Sequence, residues 1–242
     1  GRECEIWASV LQVFRRGDAA MGERAKSLRE KFKINRPLML LTMNKSFVTI
    51  NLDVLKEYVF HLEMSFKSDL NQISKRYEEK VKGIENKELI EQLSEFYGEE
   101  HHMIDVYYLR IFRYSSLMAI HSFFENSMYD VAILFKTQLK IEKPLREFPG
   151  QGIEKYKRFL KKEARINFPD TTKEWNFISD FLKIRNCIVH CDGKVYMSSK
   201  FEELAKIVDK DPDLALRHER ELTIEKNYLD RLVESMEKFF ED

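Results

Sequence analysis

Between residues 53 and 81 the apolar positions fall into a single stripe. Leu55, Val59, Leu62, Phe66, Leu70, Ile73 and Tyr77 recur every three or four residues, the repeat of an amphipathic helix. Asn51 or Asp53 is expected to cap its start, and Gly83 with Asn86 marks a turn after it. Residues 87–97 resume a helix through Leu89, Ile90, Leu93 and Phe96. A second long helical region spans 103–139, where Ile104, Tyr107, Ile111, Tyr114, Leu117, Phe124, Met128, Val131 and Leu134 keep a roughly helical register. It is apolar on more than one face, so it is expected to be central and the most buried. Pro144, Pro149, Gly150 and Gly152 interrupt the pattern, a basic helix covers about 153–165, and Phe168-Pro169-Asp170 is a second break. Thr171 followed by Glu174 fits a capping box and starts another helix. Trp175, Ile178, Leu182 and Val189 form its stripe, widened by Phe181, Ile184 and Ile188, and Asp192-Gly193 ends it near His190. A short helix at 199–209, a brief extended piece at 221–224 and a closing helix at 225–240 complete the pattern.

Composition agrees with this helical reading. Only 8 Gly and 5 Pro occur in 242 residues, too few for a turn-rich β protein. The hydrophobic share of 43% suffices for a core, so wholesale disorder is not expected. The predicted fold class is all-α. Formal net charge is zero, which gives no global field toward nucleic acid. Locally, residues 1–42 and 153–165 each carry +4, and residues 201–242 carry −6. Three cysteines, Cys4, Cys187 and Cys191, do not make a disulfide framework. No apolar run reaches the roughly 18–20 residues of a membrane span, and no signal-peptide pattern opens the chain. A cytoplasmic protein with no membrane partner is expected. Residues 1–42 lack the clean periodicity that begins at Met43. They read either as an upstream extension or as a loosely attached helical segment around 5–15 and 20–32.

The residues with the strongest chemical potential end the capped helix. In Arg185-Asn186-Cys187-Ile188-Val189-His190, Asn186 and His190 are four apart and share a face. Arg185 and His190 are five apart, about 140° around the axis, within swing of a long guanidinium. A histidine can take a proton from a hydroxyl and give one to a leaving oxygen. A guanidinium can clamp a phosphate and stabilise the charge of its transition state. An asparagine can orient either group. Together these types suit cleavage of an RNA phosphodiester by its own 2′-hydroxyl, with no metal and no cofactor. The same Arg and His equally suit a helix C-terminus, where both satisfy terminal carbonyls and the dipole.

Ile184-Arg-Asn-Cys-Ile-Val-His190, with Asp192-Gly193 following, closely resembles the Arg-Asn-x-x-x-His motif that closes a core helix in HEPN domains. The resemblance covers roughly residues 103–240. It implies an antiparallel HEPN-like bundle of four or five helices, here with an additional long N-terminal helix, that acts as a homodimer. Many such domains are metal-independent endoribonucleases of toxin–antitoxin, abortive-infection and antiviral systems. The resemblance assigns Arg185, Asn186 and His190 to a cleft between protomers. It also implies an acidic residue on an earlier core helix in a Ser-x-Phe-Glu-like setting, which here is Glu125 in Ser122-Phe123-Phe124-Glu125. His121 lies one turn before Glu125 on the same face. A carboxylate in so apolar a helix needs a partner, and Arg185 is the obvious one. Alternatively, Glu125 is a surface residue or a structural ion pair. The implied partners are a second copy, an RNA substrate and an antitoxin protein. A different class is also compatible: a non-catalytic HEPN-like helical module for partner or nucleotide binding.

Other signals are weaker. Lys155, Lys157, Arg158, Lys161, Lys162 and Arg165, with Tyr156 and Phe159 interleaved, read either as the solvated face of a helix or as a track for an RNA backbone. Lys194, just past the motif, would join that track. Cys187, His190 and Cys191 have metal-like spacing, but a zinc site needs a fourth ligand or an open position, and cysteine is usually a small buried hydrophobe. No metal is expected. His101-His102 is expected to be exposed. The sequence holds no Gly-rich phosphate loop, Gly-x-Ser-x-Gly elbow, His-Glu-x-x-His or paired Cys-x-x-Cys. The expected organisation is an extension over 1–42, a long plus a short helix over 43–100, and a HEPN-like bundle over 101–242.

Overall fold

The computed structural model describes residues 36–218 and 220–241, with side chains from Lys45 onward. The helices expected around 5–15 and 20–32 lie outside the described residues. Residues 1–42 and 43–242 are separate units. The described part of the second unit is predominantly helical with one β-hairpin, and residues between Val48 and Phe66 join the same hydrophobic core as the later helices, whereas Ile73 and Tyr97 are buried outside it.

Helix α1 runs Arg36–Val81, far longer than the periodic stripe that announced it. Neither Asn51 nor Asp53 caps it: the Asn51 side chain donates to the Phe47 carbonyl at 2.8 Å, one turn back inside the helix. Nothing between Leu38 and Val81 breaks a helix, since the stretch holds no Gly or Pro. Val48, Leu52, Val59 and Ile73 are its buried positions.

After Gly83 (φ +82°), Asn86 starts α2 (Lys87–His102) by accepting from the Glu88 and Leu89 N–H groups. Where the sequence suggested two helices, the chain continues without a break through a π-helical stretch, Met103–Tyr108, into α3 (Leu109–Gln138). The Leu109 N–H bonds the Ile104 carbonyl five residues back, so Leu109 rather than Tyr107 or Tyr108 falls below Ile104. That wide turn rotates the buried face by one position. Leu109 and Phe112 are buried, whereas the expected core residues Tyr107 and Ile111 are exposed.

From Tyr114 onward α3 is the central helix, as its all-round apolarity implies. Leu117, Ile120, Phe124 and Met128 are fully enclosed by residues of α4 (Gly152–Lys162), α5 (Lys173–Cys191) and α7 (Lys226–Glu241). Tyr228, Leu229, Leu232, Val233 and Met236 line the α7 side. Phe168 meets Trp175 edge-on with centroids 4.9 Å apart, closing the core beneath the loop before α5.

The remaining elements sit beyond the motif helix. A 3₁₀ turn (Val195–Met197) leads to α6 (Phe201–Lys210). Strands β1 (Leu214–Arg217) and β2 (Glu221–Ile224) pair antiparallel, with Leu214 opposite Ile224 and Arg217 opposite Glu221. Only β2 was expected. Leu-Ala-Leu-Arg has helix-forming residues, and its strand state is imposed by pairing with β2. Arg113 ties three elements together. It donates to both Glu63 oxygens (2.7 and 3.1 Å) on α1, to the Ile224 carbonyl (2.7 Å), and to Glu225. No helix among the described residues is long and apolar enough to cross a membrane.

Candidate active site at the end of the motif helix

Helix α5 carries the motif, and its ends explain where the motif points. Thr172, not Thr171, is the N-cap: its hydroxyl accepts from the Trp175 N–H at 3.2 Å. The expected Thr171–Glu174 box does not form: Thr172 takes the extended backbone that a cap requires (ψ 159°), and the residue three on from it is Trp175, which cannot reach back as an acidic side chain would. The buried stripe is Trp175, Ile178, Phe181, Ile184 and Cys187, spaced by threes. Leu182 is only partly buried and Val189 is exposed, so the stripe through Leu182 and Val189 is displaced from the real core face.

The C-terminus is fastened from outside. Asp192 takes the left-handed conformation (φ 52°), and the Gly193 N–H bonds the Cys187 carbonyl in the manner of a helix C-cap. Gly193 (φ +73°) is pressed against Tyr114: a Cβ there would lie 2.0 Å from the phenol oxygen. The Tyr114 hydroxyl donates to the Leu222 carbonyl at 2.6 Å, and the Leu222 N–H donates to the Gly193 carbonyl at 2.9 Å. Central helix, motif turn and hairpin therefore meet at one point. Burial raises the Tyr114 phenol well above its ordinary range and keeps it a neutral donor. Spacing in the sequence held no signal for this clamp.

Within the motif, Arg185 is partly buried while Asn186 and His190 are exposed. Arg185 Nη1 donates to Asn186 Oδ1 at 3.1 Å, and its Nε is buried without a hydrogen-bond partner. The expected pair with Glu125 is not among the ion pairs of the described residues. Instead the Glu125 carboxylate lies 3.8 Å from His121 Nδ1 and close to the first residue of α4, where a Cβ on Gly152 would come within 3.0 Å of Oε1. Helix α4 has no side-chain cap, so a carboxylate at its N-terminus is favourably placed against the dipole. Tyr156, on α4, also faces this group: burial first, then Glu125 and Tyr129, raises its phenol pKa.

His121 sits among these groups with its ring 6.2 Å from that of Phe181. Burial, aided by the Arg185 charge, lowers its pKa from 6.5 to about 4. A neutral imidazole at 3.8 Å makes no ion pair, so the His121–Glu125 approach is a packing contact at neutral pH. Arg185 thus stands between a neutral histidine inside and the exposed Asn186 and His190 outside. His190 has no hydrogen bond or ion pair among the described residues.

The basic helix divides in two. Lys157 and Lys161 are drawn to Asp170, and Lys157 also lies 4.5 Å above the Trp175 ring. Both are tied to the fold. Arg158 and Lys162 are exposed, and Lys155 is partly buried near Gly150. Lys194 is 4.0 Å from Asp192 at the motif turn. Cys187 is buried, and burial together with Cys191 lifts its thiol pKa to about 11, away from the thiolate that metal binding needs. Among the described residues no three His, Cys, Asp or Glu side chains are grouped to hold a metal ion.

No family model, curated protein or solved structure matches the chain.

Proposed function

We propose that the protein is a HEPN-type, metal-independent endoribonuclease, working as a homodimer in the cytoplasm in phage defence or in growth arrest restrained by an antitoxin. The observation that carries this reading is the arrangement of Arg185, Asn186 and His190 at the locked end of one helix. The guanidinium is bonded to the asparagine, and two of the three side chains face solvent. In the reaction His190 removes the proton of the 2′-hydroxyl, whose oxygen attacks phosphorus. The P–O5′ bond breaks, and the imidazolium returns a proton to the departing oxygen. Arg185 stabilises the extra negative charge on phosphorus, and Asn186 holds guanidinium or phosphate in place. Glu125 acts as a positioning residue, packed 3.8 Å from His121 and away from the reacting atoms. Products carry a 2′,3′-cyclic phosphate and a 5′-hydroxyl.

A second reading, a non-catalytic HEPN-like module for partner or nucleotide binding, draws on the solitary state of His190. A catalytic histidine is ordinarily oriented by a third group. In the enzyme reading that group comes from the second protomer. Incubation of the purified protein with total RNA in EDTA, beside His190→Ala and Arg185→Ala, separates the two. Cleavage that survives chelation, leaves cyclic-phosphate ends and falls at least about 100-fold in both variants is expected. Absence of cleavage in all three proteins, with unchanged size, transfers the assignment to the binding module.

A further inference from the structure

The turn that follows the motif opens onto a second feature. A surface cleft of about 400 Å³ lies between the π-helical stretch, the 3₁₀ turn after α5 and the tip of the hairpin. Backbone pairing holds its walls together. The Val195 N–H bonds the Arg220 carbonyl at 3.0 Å, and Lys194 bridges to Glu221 beside the Leu222–Gly193 bond. Three cations line it, Lys194, Arg217 and Arg220, against one carboxylate, Glu221. Arg217 and Glu221 satisfy each other at 2.6 Å. That leaves a surplus of two. Among the described residues Lys194 approaches the well-exposed Asp192 at 4.0 Å and lies in the field of Glu221, which Arg217 and Arg110 share, and Arg220 makes no ion pair.

The same cleft carries two exposed aromatic rings. Tyr107 and Tyr196 are 39% and 52% exposed. Arg217 lies 5.9 Å over the Tyr107 ring, and Arg220 lies 5.7 Å over that of Tyr196. His218, in a left-handed conformation (φ 51°), turns the chain at the hairpin tip and completes the lining. The adjoining cleft, about 350 Å³, shares Arg217 and Glu221 and adds Arg110, whose Nε is buried without a partner. Surplus cations beside accessible planar rings match a phosphodiester with an unpaired base. A paired base could not turn its face to a tyrosine.

We propose that this cleft binds a nucleotide of a single RNA strand, its phosphate between Lys194 and Arg220 and its base stacked on Tyr196 or Tyr107. The strand's identity as RNA rests on the ribonuclease reading; the cleft's chemistry does not. The test is anisotropy of a labelled single-stranded RNA 12-mer, in EDTA, with the full chain carrying His190→Ala so that nothing is cut. Adding Lys194→Glu with Arg220→Glu is expected to weaken binding at least tenfold. It should also lower the slope of log affinity against log salt by about 1.4, two phosphate contacts at about 0.7 each. Tyr196→Ala is expected to cost at least about fivefold. The duplex of the same sequence, and free AMP, are expected to compete poorly. Should the charge reversal disturb folding, the Gln pair at the same positions reads the same loss. Equal affinity in parent and variants, equal binding of the duplex, tighter binding of AMP than of the strand, or no binding by the parent would each overturn the proposal. Loss of cleavage on His190→Ala with strand binding retained keeps the two claims separable.

Discussion

At the residue scale His121 is the histidine whose surroundings hold it neutral. It is packed against Phe181, faces Arg185, and has the Glu125 carboxylate 3.8 Å away. A folded-state pKa of about 4 against an ordinary 6.5 means that the unfolded chain binds the proton more readily between those values. Stability from the neutral imidazole is therefore complete above pH 6.5 and drains away as the pH falls toward 4. At about 1.4 kcal/mol per unit, the full shift amounts to roughly 3 kcal/mol. Urea denaturation of the protein and of His121→Gln at pH 7.5 and 4.5 measures this. The parent is expected to lose most of that amount on acidification, and the variant is expected to lose markedly less. Acid losses of equal size in both would show that His121 is not the sensitive group. The motif itself was legible at this scale, because Arg, Asn and His at fixed helical spacing are read directly. The partners of those residues were not. Arg185 was expected to meet Glu125 and instead meets its own neighbour Asn186, while the Glu125 carboxylate lies beside His121 and the start of α4.

At the element scale the end of α5 matters most. The Asp192-Gly193 turn was predictable as a stop, but its second role is set by Tyr114 arriving from α3. Gly193→Ala places a methyl against the phenol and forces an L-residue into φ +73°. A loss of about 2 kcal/mol or more is expected from the backbone strain and the steric conflict together. Cleavage should fall with it even at temperatures where the variant remains folded, because the turn positions the motif. An unchanged denaturation midpoint would mean that the Tyr114 contact does not hold the turn. The displaced face of α3 has its cause at this scale too. Periodicity assumes 3.6 residues per turn, and the π turn at Met103–Tyr108 breaks that register locally: Tyr107 and Ile111 are exposed, while Tyr114, Leu117, Phe124 and Met128 are buried as the spacing implies. Single-residue hydropathy does not reveal such a turn.

At the scale of the whole molecule, the region around the motif leaves large apolar side chains in solvent. Val189, Tyr196, Met197 and Phe201 are all between 44% and 59% exposed. In the proposed homodimer Val189 and Met197 lie at or beside the shared cleft. Sedimentation is expected to show a dimer for the parent and a monomer for Val189→Asp with Met197→Asp, cleavage being lost with dimerisation. A parent that stays monomeric at tens of micromolar would remove the composite cleft. A monomeric variant that still cuts RNA would relocate catalysis to one protomer.

The chain alone determined the helical class, the central place of the helix expected over 103–139, and the motif helix with its stop. Each follows from local preference and apolar spacing, which act over a few residues. Contacts between distant residues decided the rest. Pairing of β2 makes a strand of Leu-Ala-Leu-Arg. The Tyr114–Gly193 approach joins residues about 80 positions apart, and Arg113 joins Glu63 to Glu225. The basic aromatic cleft gathers Tyr107, Lys194 and the hairpin tip from three separate elements. None of these carries a local signature, because each is fixed by which surfaces the core brings together when it excludes water.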